Sequence, residues 1–261
     1  MDIQIIFFDI DGTLVNPDTG GISEKTKQTL RQLREKGIRL FIATGRPPAS
    51  LPDLTGLEFD GFITVNGSLC YSGDEIIFHN PMAPEDLKQV IHNAAELGRP
   101  VSVAVRDRLV ANGWDEDLAG YYRLAGLELT VAEDFEQVCK NPVYQIMLGC
   151  RVQDHPAIIR NAPGVDITYS WDRAADVIPK GSGKAEAIRK VLAHYNLKPC
   201  QAMAFGDGHN DIEMLQTVGT GVAMGNGADQ VKAAAKECCR SVYEEGIYHY
   251  CLEKALILQE K

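Results

Sequence analysis

Apolar runs and amphipathic segments alternate at both ends of the chain. Residues 3–8 are apolar without alternation, which is typical of a strand buried on both faces of a parallel sheet. Similar apolar runs occupy residues 38–43, 60–65, 202–205 and 221–224. Segments whose apolar residues recur with the period of an α-helix lie between or after these runs, at residues 22–36, 184–194, 211–215, 228–235 and 247–258. This alternation with short links predicts an α/β fold built on a doubly wound, mostly parallel sheet.

The pattern changes in the middle of the chain. Residues 71–79 are expected to form a hairpin, and Pro84 begins a helix that runs to residue 97. Short strands are predicted at residues 101–105, 109–112, 143–149 and 165–171, and helices at 116–124 and 157–161. This mixture predicts an inserted α+β domain. We therefore assign residues 1–80 and 183–261 to a core domain and residues 81–182 to the insertion.

Composition and charge limit the classes of function. The chain has 261 residues, of which 45% are hydrophobic and 24% charged, as in ordinary globular proteins of one or two domains. The net charge of −10 argues against nucleic-acid binding, which requires a basic surface. No stretch approaches the roughly 20 apolar residues of a membrane span. The chain has seven scattered cysteines without a C-x-x-C pair, and this favours reduced thiols. We expect a cytoplasmic protein that binds neither nucleic acid nor membranes and is a monomer or small homo-oligomer.

The sequence D-I-D-G-T at residues 9–13 follows the first buried strand directly. Asp9 and Asp11 are two residues apart, so their carboxylates point to the same side of an extended chain. Like charges this close are costly unless a cation or a shifted pKa relieves them. Ligands of open α/β sheets bind beyond the carboxyl ends of the strands. The motif therefore indicates a metal site with a carboxylate available for chemistry, although an acidic turn is a simpler alternative.

Three further motifs lie at predicted strand ends or at a helix start. They are T-G-R at residues 44–46, Lys184, and G-D-G-H-N-D at residues 206–211. A doubly wound sheet brings such positions to one edge. Acids, a hydroxyl and an ammonium would meet there, which suits a hard divalent cation and a phosphoryl group.

Together these motifs resemble those of the haloacid dehalogenase superfamily of phosphatases. The Cof-type branch, which carries a large α/β cap inserted after the third core strand, is the most similar. The resemblance spans essentially the whole chain, and D-x-D-G-T followed by G-D-G-x-N-D is a highly specific pair. It implies a Rossmann-like core with an α+β cap. It also implies Mg²⁺-dependent hydrolysis of small phosphomonoesters, such as sugar phosphates, through an aspartyl-phosphate.

The resemblance assigns roles to the acidic residues. Asp9 matches the nucleophile and Asp11 the general acid and base. Asp9, the backbone carbonyl of Asp11 and Asp207 would bind Mg²⁺. Asn210 and Asp211 are expected behind these ligands, where they would hold a metal-bound water or orient the lysine. Asp211 could equally be a helix-start acid.

The remaining roles concern the phosphoryl group. Thr44 and the N–H of Gly45 would bind its oxygens, and Lys184 would neutralise its charge. Lys180 is a competing candidate, because the residues flanking Lys184 depart from the usual family pattern. Arg46 could contact the phosphate or its leaving group, or be a solvated helix-start residue.

Substrate specificity is expected in the loops of the cap, which would close over the strand ends. Candidate positions, each more readily explained as structural, are Arg106, Arg108, Trp114, Asp115, Trp171 and Asp172. His209 is expected to be an exposed loop residue. Two other functions use the same chemistry: a mutase that returns the phosphoryl group to a sugar, and a signalling module phosphorylated on aspartate.

Overall fold

The structure is a computed structural model that describes residues 2–169 and 171–259. Within these residues the strands form two sheets. The strands are β1 (Ile5–Phe8), β2 (Arg39–Ala43), β3 (Gly61–Thr64), β4 (Leu69–Ser72), β5 (Glu75–His79), β6 (Val101–Ala104), β7 (Leu109–Ala111), β8 (Gln145–Gly149), β9 (Val165–Thr168), β10 (Ala174–Pro179), β11 (Ala202–Gly206), β12 (Thr220–Ala223) and β13 (Glu237–Cys238). The helices are α1 (Glu24–Glu35), α2 (Pro84–Glu96), α3 (Glu116–Leu124), α4 (Phe135–Val138), α5 (His155–Ile158), α6 (Lys184–His194), α7 (Ile212–Thr217), α8 (Asp229–Ala234) and α9 (Gly246–Glu253).

The core sheet has the order β13-β12-β11-β1-β2-β3-β4-β5 and is parallel from β13 to β3. The predicted hairpin extends this sheet as the antiparallel strands β4 and β5. At its centre, Phe8 of β1 lies opposite Ile42 of β2 and Phe205 of β11. This register brings the carboxyl ends of three strands level with one another. The predicted doubly wound α/β fold is confirmed.

Side chains of β1 alternate between two hydrophobic clusters, as the pleat of a strand requires. Ile6 and Phe8 pack beneath α1 and α9, whereas Ile5 and Phe7 pack beneath α6 and α7. All four residues are completely buried. The unbroken apolar run at residues 3–8 is therefore explained by helices on both faces of the sheet.

The cap sheet is antiparallel, with the order β7-β6-β8-β10-β9. Helix α2 packs on one of its faces. Helix α3 covers the other face, where Leu118 and Met147 join Val65 and Leu69 of the core domain in a shared apolar cluster. The cap is thus attached to the core partly through hydrophobic packing.

Several elements differ from the sequence-based prediction. The predicted strand at 165–171 ends at Thr168, and residue 170 lies outside the described residues. Strand β10, which is central to the cap sheet, was not predicted, because its sequence A-A-D-V-I-P contains an acid and a proline. The predicted helix at 157–161 lies earlier, and the last helix ends at Glu253 rather than at residue 258. Helix α4 and strand β13 were also missed because they are too short to show periodicity. None of the described helices is long and apolar enough to span a bilayer.

Candidate active site

The predicted motifs meet at the carboxyl edge of the core sheet. Asp9 follows β1, Thr44 follows β2 and Asp207 follows β11. Backbone hydrogen bonds keep these loops in place: the N–H of Asp9 donates to the carbonyl of Phe205 at 3.0 Å, and that of Thr44 donates to Ile63 at 2.8 Å. Asp9 is 7% exposed and Thr44 1% exposed. The strand order therefore converts motifs that are about 200 residues apart in sequence into neighbours.

Lys184, the first residue of α6, joins two of the acids. Its Nζ donates to Oδ1 of Asp9 at 2.7 Å and to Oδ1 of Asp211 at 2.6 Å. Burial alone would lower the pKa of Lys184, but the two carboxylates outweigh it and hold that pKa above its usual value. The other oxygen of Asp211 accepts from the backbone N–H groups of Asp207 and Gly208 at 3.0 and 2.9 Å. Asp211 thus uses both oxygens to hold the lysine and the turn after β11.

The acids form a group that suits a cation. Among the described residues, one oxygen each of Asp9, Asp207 and Asp211 lie within 4.8 Å of one another. Burial raises the pKa of Asp9 well above its ordinary value despite the opposing effect of Lys184. Burial and the charge of Asp211 raise the pKa of Asp207 to about 7. A divalent cation bound among these acids would relieve this crowding.

The loop after β1 fits closely against Asp207. Gly12 has a φ of +82°, and a Cβ at this position would overlap the Asp207 carboxylate. Oγ1 of Thr13 donates to Oδ1 of Asp207 at 2.8 Å. Nδ2 of Asn226 donates to the carbonyl of Gly12 at 2.8 Å and to Oδ2 of Asp207 at 3.2 Å. Asn226 therefore braces the acid cluster, a role that sequence analysis missed because an Asn-Gly turn explains the dipeptide by itself.

Asp11 lies beside the acid cluster and pairs with Arg46. Nε and Nη2 of Arg46 donate to the two carboxylate oxygens at 2.8 and 2.7 Å, and Nη1 donates to the carbonyl of Ser50 at 2.9 Å. The side chain of Arg46 is 11% exposed and that of Asp11 is 44% exposed. Arg46 is therefore a packed residue of the site rather than a solvated one. The carboxylate of Asp11 is outside the group of three acids, and binding of a cation through its backbone carbonyl stays a prediction.

Asn66 connects the core domain to the cap. Its Nδ2 donates to Oδ2 of Asp176 at 2.8 Å and to Oε1 of Gln145 at 3.2 Å, and both acceptors belong to the cap sheet. Its Oδ1 accepts from Nδ2 of Asn210 at 2.9 Å. Asn210 therefore orients Asn66, and Asp211 rather than Asn210 contacts Lys184. Sequence analysis did not single out Asn66, because an Asn-Gly turn explains this dipeptide by itself, and the one available signal was its position after a predicted strand.

A cavity of about 410 Å³ lies between the core and the cap. The core contributes polar side chains to its wall, among them Asp9, Asp11, Thr44, Arg46, Asp207 and Asn210. The cap contributes mainly apolar and aromatic side chains, among them Leu109, Tyr121, Tyr122, Leu127, Met147 and Trp171. The cavity thus has a charged end at the strand ends and an apolar wall opposite.

The other predicted positions have different environments. Trp171 lines the cavity, whereas Arg108 pairs with Asp134 at 2.7 Å, and Asp115 caps α3. Arg106, Trp114 and Asp172 are exposed. His209 is exposed as expected, and its ring stacks on Tyr169 of the cap with centroids 4.6 Å apart. The competing Lys180 is exposed, and its carbonyl accepts from Asn80 at 2.9 Å.

Known proteins share this architecture. Residues 6–251 match the family of haloacid dehalogenase-like hydrolases. The chain is 33% identical over 260 residues to YkrA of Bacillus subtilis (strain 168), covering 98% of this chain and 100% of that protein. It is 32% identical over 244 residues to the HMP-PP phosphatase of Shigella flexneri, covering 88% and 87% of the two chains. The solved structure of the HAD subclass IIB sugar phosphatase BT4131 is similar, with a TM-score of 0.90 at 31% identity, covering 97% of this chain and 100% of that chain.

The sequence match extends over nearly all of the chain, and the similarity of structure includes both the core and the cap. The resemblance inferred from the D-x-D-G-T and G-D-G-x-N-D motifs is thereby confirmed. The chain belongs to the haloacid dehalogenase superfamily, in its Cof-type branch of phosphatases.

Proposed function

We propose that this protein hydrolyses small phosphomonoesters in the presence of Mg²⁺ and through a phosphorylated Asp9. The observation that carries this proposal is the position of Asp9, which is buried, hydrogen-bonded to Lys184 at 2.7 Å and part of the cavity wall. A phosphate monoester dianion repels an anionic nucleophile, so catalysis depends on positioning and on neutralising charge. Lys184 provides the positive charge where the nucleophile and the transferring group meet.

The first step transfers the phosphoryl group to the protein. A carboxylate oxygen of Asp9 forms a bond to phosphorus while the bond between phosphorus and the ester oxygen breaks. Asp11 gives a proton to the departing alkoxide. The hydroxyl oxygen of Thr44 already accepts from the N–H of Arg46 at 3.1 Å, so its hydrogen is directed elsewhere and can be donated to a phosphoryl oxygen.

The second step releases phosphate. A water attacks phosphorus, the bond between phosphorus and Asp9 breaks, and Asp11 takes the proton of the water. Both oxygens of Asp11 are held by Arg46 in this structure, so Asp11 must leave that ion pair to exchange protons. Arg46 would then be free to contact the phosphate or its leaving group, which unites the two roles considered for it.

The acid cluster fits a magnesium ion. Asp9 and Asp207 offer hard oxygen ligands, as Mg²⁺ requires, and the carbonyl of Asp11 would be the third ligand from the protein. When bound, the ion would neutralise the phosphoryl oxygens and the carboxylates around them. Asp211 would contribute by fixing Lys184 and the backbone that carries Asp207.

The expected substrates are small metabolites such as sugar phosphates, because the cavity is too small for a folded protein domain. We also propose that the protein acts in the cytoplasm. All seven cysteines are free thiols, as expected in a reducing compartment.

The decisive experiment measures phosphate release from a panel of p-nitrophenyl phosphate, sugar phosphates, nucleotides and phosphorylated cofactors. We expect turnover with Mg²⁺, a loss of at least hundredfold after treatment with EDTA, and recovery when Mg²⁺ is restored. Product analysis separates hydrolysis from mutase activity, because only hydrolysis releases free phosphate. Absence of phosphate release across the panel, or release that is indifferent to the metal, would contradict the proposal.

A further inference from the structure

The turn after β11 contacts the cap through a pair of aromatic rings. The imidazole of His209 stacks on the ring of Tyr169, which follows β9, with centroids 4.6 Å apart and an angle of 14° between the rings. This separation is within the range in which aromatic pairs attract one another. From within the cap, the imidazole of His155 meets the same tyrosine edge-on, with centroids 5.6 Å apart. Tyr169 therefore contacts one ring of the cap and one ring of the core.

The turn that carries His209 also carries part of the acid cluster. Asp207 and Asp211 belong to this cluster, and the carboxylate of Asp211 accepts from the backbone N–H of Asp207 at 3.0 Å. Asn210, the residue after His209, donates to Asn66 at 2.9 Å. These bonds fix the turn on both sides of His209, whose exposed side chain is directed towards the cap. The stack therefore connects the cap to the segment that positions Asp207.

The stack borders the cavity without lining it. Gly208 and Asn210, on either side of His209, line the cavity, and so does Trp171, two residues after Tyr169. Within the described part of these two segments, His209 and Tyr169 are not lining residues. A contact at this place can set how the cap lies over the acids without touching a bound ester.

Further contacts between the cap and the core involve the turn after β3 and the start of β4. Asn66 of this turn donates to side chains of the cap sheet, and Val65 and Leu69 pack in the apolar cluster shared with the cap. In the core sheet, β1 and β2 lie between β3 and β11. The stack therefore attaches the cap at a second strand end, and two attachments restrict rotation of the cap more than one does.

We propose that His209 is a positioning residue that holds the cap over the acid cluster by stacking on Tyr169. This rests on the proposed function, because it assumes that the ester binds beneath the cap and is cleaved at Asp9. Without the stack, the cap spends less time in the arrangement that encloses the ester, and the apparent affinity falls in proportion. The groups that act in the enclosed state are the same, so we expect kcat to change little.

The first test measures KM and kcat, for the best substrate of the phosphate-release panel, in His209→Ala, Tyr169→Ala and the double variant. We expect each single substitution to raise KM by about threefold or more, as loss of an aromatic pair predicts, with kcat within about twofold of the wild-type value. Because both residues act through one contact, the double variant should match the larger single effect rather than the product of the two. His209→Phe keeps a ring that can stack and should restore the wild-type KM.

The matched control is His92→Ala, which removes another exposed imidazole. His92 lies on α2 of the cap, and its side chain is 65% exposed. We expect its KM and kcat to equal those of the wild-type protein. Thermal unfolding of every variant checks that the fold is retained, as expected for substitutions of an exposed side chain.

The second test requires no substrate. The two tryptophans of the chain are Trp114 and Trp171, and the second of these lines the cavity. In a Trp114→Phe background, quenching of the fluorescence by acrylamide reports the access of solvent to Trp171. We expect His209→Ala to raise the quenching constant by about 1.5-fold or more, because the cap is open for a larger fraction of the time. His209→Phe and His92→Ala should leave this constant unchanged.

These outcomes are distinct from the fate of the proposed function. A smaller rise in KM in either single variant, effects that multiply in the double variant, or a smaller change in quenching would overturn the role of the stack while hydrolysis continues. A fall in kcat of His209→Ala without a rise in KM would also overturn it, since only the turn itself would then be disturbed. If no ester of the panel is hydrolysed, the proposed function is overturned, and the quenching measurement alone decides whether His209 holds the cap.

Discussion

Asp11 and Arg46 form a bidentate ion pair beside the acid cluster. Such pairs are among the strongest hydrogen-bonded contacts between side chains because two parallel N–H groups meet both carboxylate oxygens. Arg46 lies two residues after Thr44 and contacts both residues of the site. Its backbone N–H donates a hydrogen bond to the Thr44 hydroxyl, and its guanidinium group donates to the Asp11 carboxylate. One short loop thus positions a phosphate-binding candidate and a proton-transfer candidate together.

The role proposed for Asp9 is tested by Asp9→Asn. We expect kcat for phosphomonoesters to fall by about 10³-fold or more, because an amide is a poor nucleophile and cannot form the phosphorylated intermediate. The fold should survive, since the amide oxygen can still accept from Lys184 and one charge leaves a crowded group of acids. Circular dichroism and thermal unfolding serve as controls, and full turnover in this variant would exclude Asp9 as the nucleophile.

The lysine assignment is tested by comparing Lys184→Ala with Lys180→Ala. Lys184 is 3% exposed and contacts both Asp9 and Asp211, whereas Lys180 is exposed. We expect Lys184→Ala to lower kcat at least hundredfold and to reduce the free energy of unfolding by about 3 kcal/mol, since it leaves buried carboxylates unpaired. Lys180→Ala should change kcat less than threefold. The opposite ranking of the two variants would reassign the catalytic lysine.

At the level of elements, the turn after β3 packs directly against the start of α6. Gly67 has a φ of +87°, and a Cβ on it would overlap the carbonyl of Gly183, just before Lys184. We expect Gly67→Ala to destabilise the protein by about 2–4 kcal/mol, from backbone strain and from the overlap together, and to lower activity by displacing Lys184. Urea unfolding and kcat/KM provide the measurements.

Gly126→Ala is the control for this prediction, because Gly126 also has a left-handed φ, of +69°, but open space at the Cβ position. We expect Gly126→Ala to reduce the free energy of unfolding by about 1–2 kcal/mol, from backbone strain alone. Equal destabilisation by the two substitutions would mean that the close approach of the turn to α6 has no energetic importance.

In the cap, helix α3 is held by an acid in its first turn. Asp117 accepts hydrogen bonds from Arg99, Arg151 and Arg173 at the edge of the cap sheet. Burial opposes its ionisation, but the arginines outweigh this effect and hold the pKa of Asp117 below its usual value. A carboxyl with a lowered folded-state pKa stabilises the fold above the unfolded-state pKa of about 4, and this stabilisation disappears as the pH falls through the lower folded-state value.

We therefore expect Asp117→Asn to reduce the free energy of unfolding by about 2 kcal/mol at pH 7, since three partly exposed arginines lose their carboxylate. The difference from the wild-type protein should be constant above pH 5 and should shrink below pH 4. Urea midpoints measured between pH 3.5 and pH 7 check this. A difference that grows towards acid pH would show that the Asp117 carboxyl does not titrate as inferred.

At the scale of the whole molecule, the candidate site lies between two separately packed hydrophobic cores. The core of the parallel sheet consists of one apolar cluster on each face, the core of the cap lies under α2, and a smaller apolar cluster joins core and cap near the cavity. The overall charge of −10 repels anionic substrates, so we expect binding to depend on local positive charge, from Arg46 in the cavity wall and from Lys184 behind Asp9. We therefore expect the enclosing cap to limit the size of the substrate.

This geometry predicts discrimination by size. A cavity of about 410 Å³ accommodates a small ester, whereas the phosphoserine of a folded or extended protein chain would have to pass beneath the cap. We expect kcat/KM per phosphate to be at least hundredfold lower for phosphorylated casein than for free phosphoserine. Comparable values for the two would show that the cap does not restrict access.

The sequence by itself determined the class of fold and the positions of the candidate site. Asp9 and Asp207 could be placed at the site because each follows an apolar run, and the carboxyl ends of parallel strands share one edge. The spacing of apolar residues also predicted both ends of α6, which begins at Lys184 and ends at His194. These features are local, since they depend on periodicity and on the residue that ends an element.

Only the tertiary structure decided which distant side chains meet. It paired Arg46 with Asp11, set Asn226 against Asp207, and brought a cap strand that the sequence did not predict, β10, to the cavity with Asp176. Contacts of this kind depend on sheet order, on the register of strands and on left-handed turns. None of these leaves a periodic signal in the chain, because each arises from the packing of segments far apart in sequence.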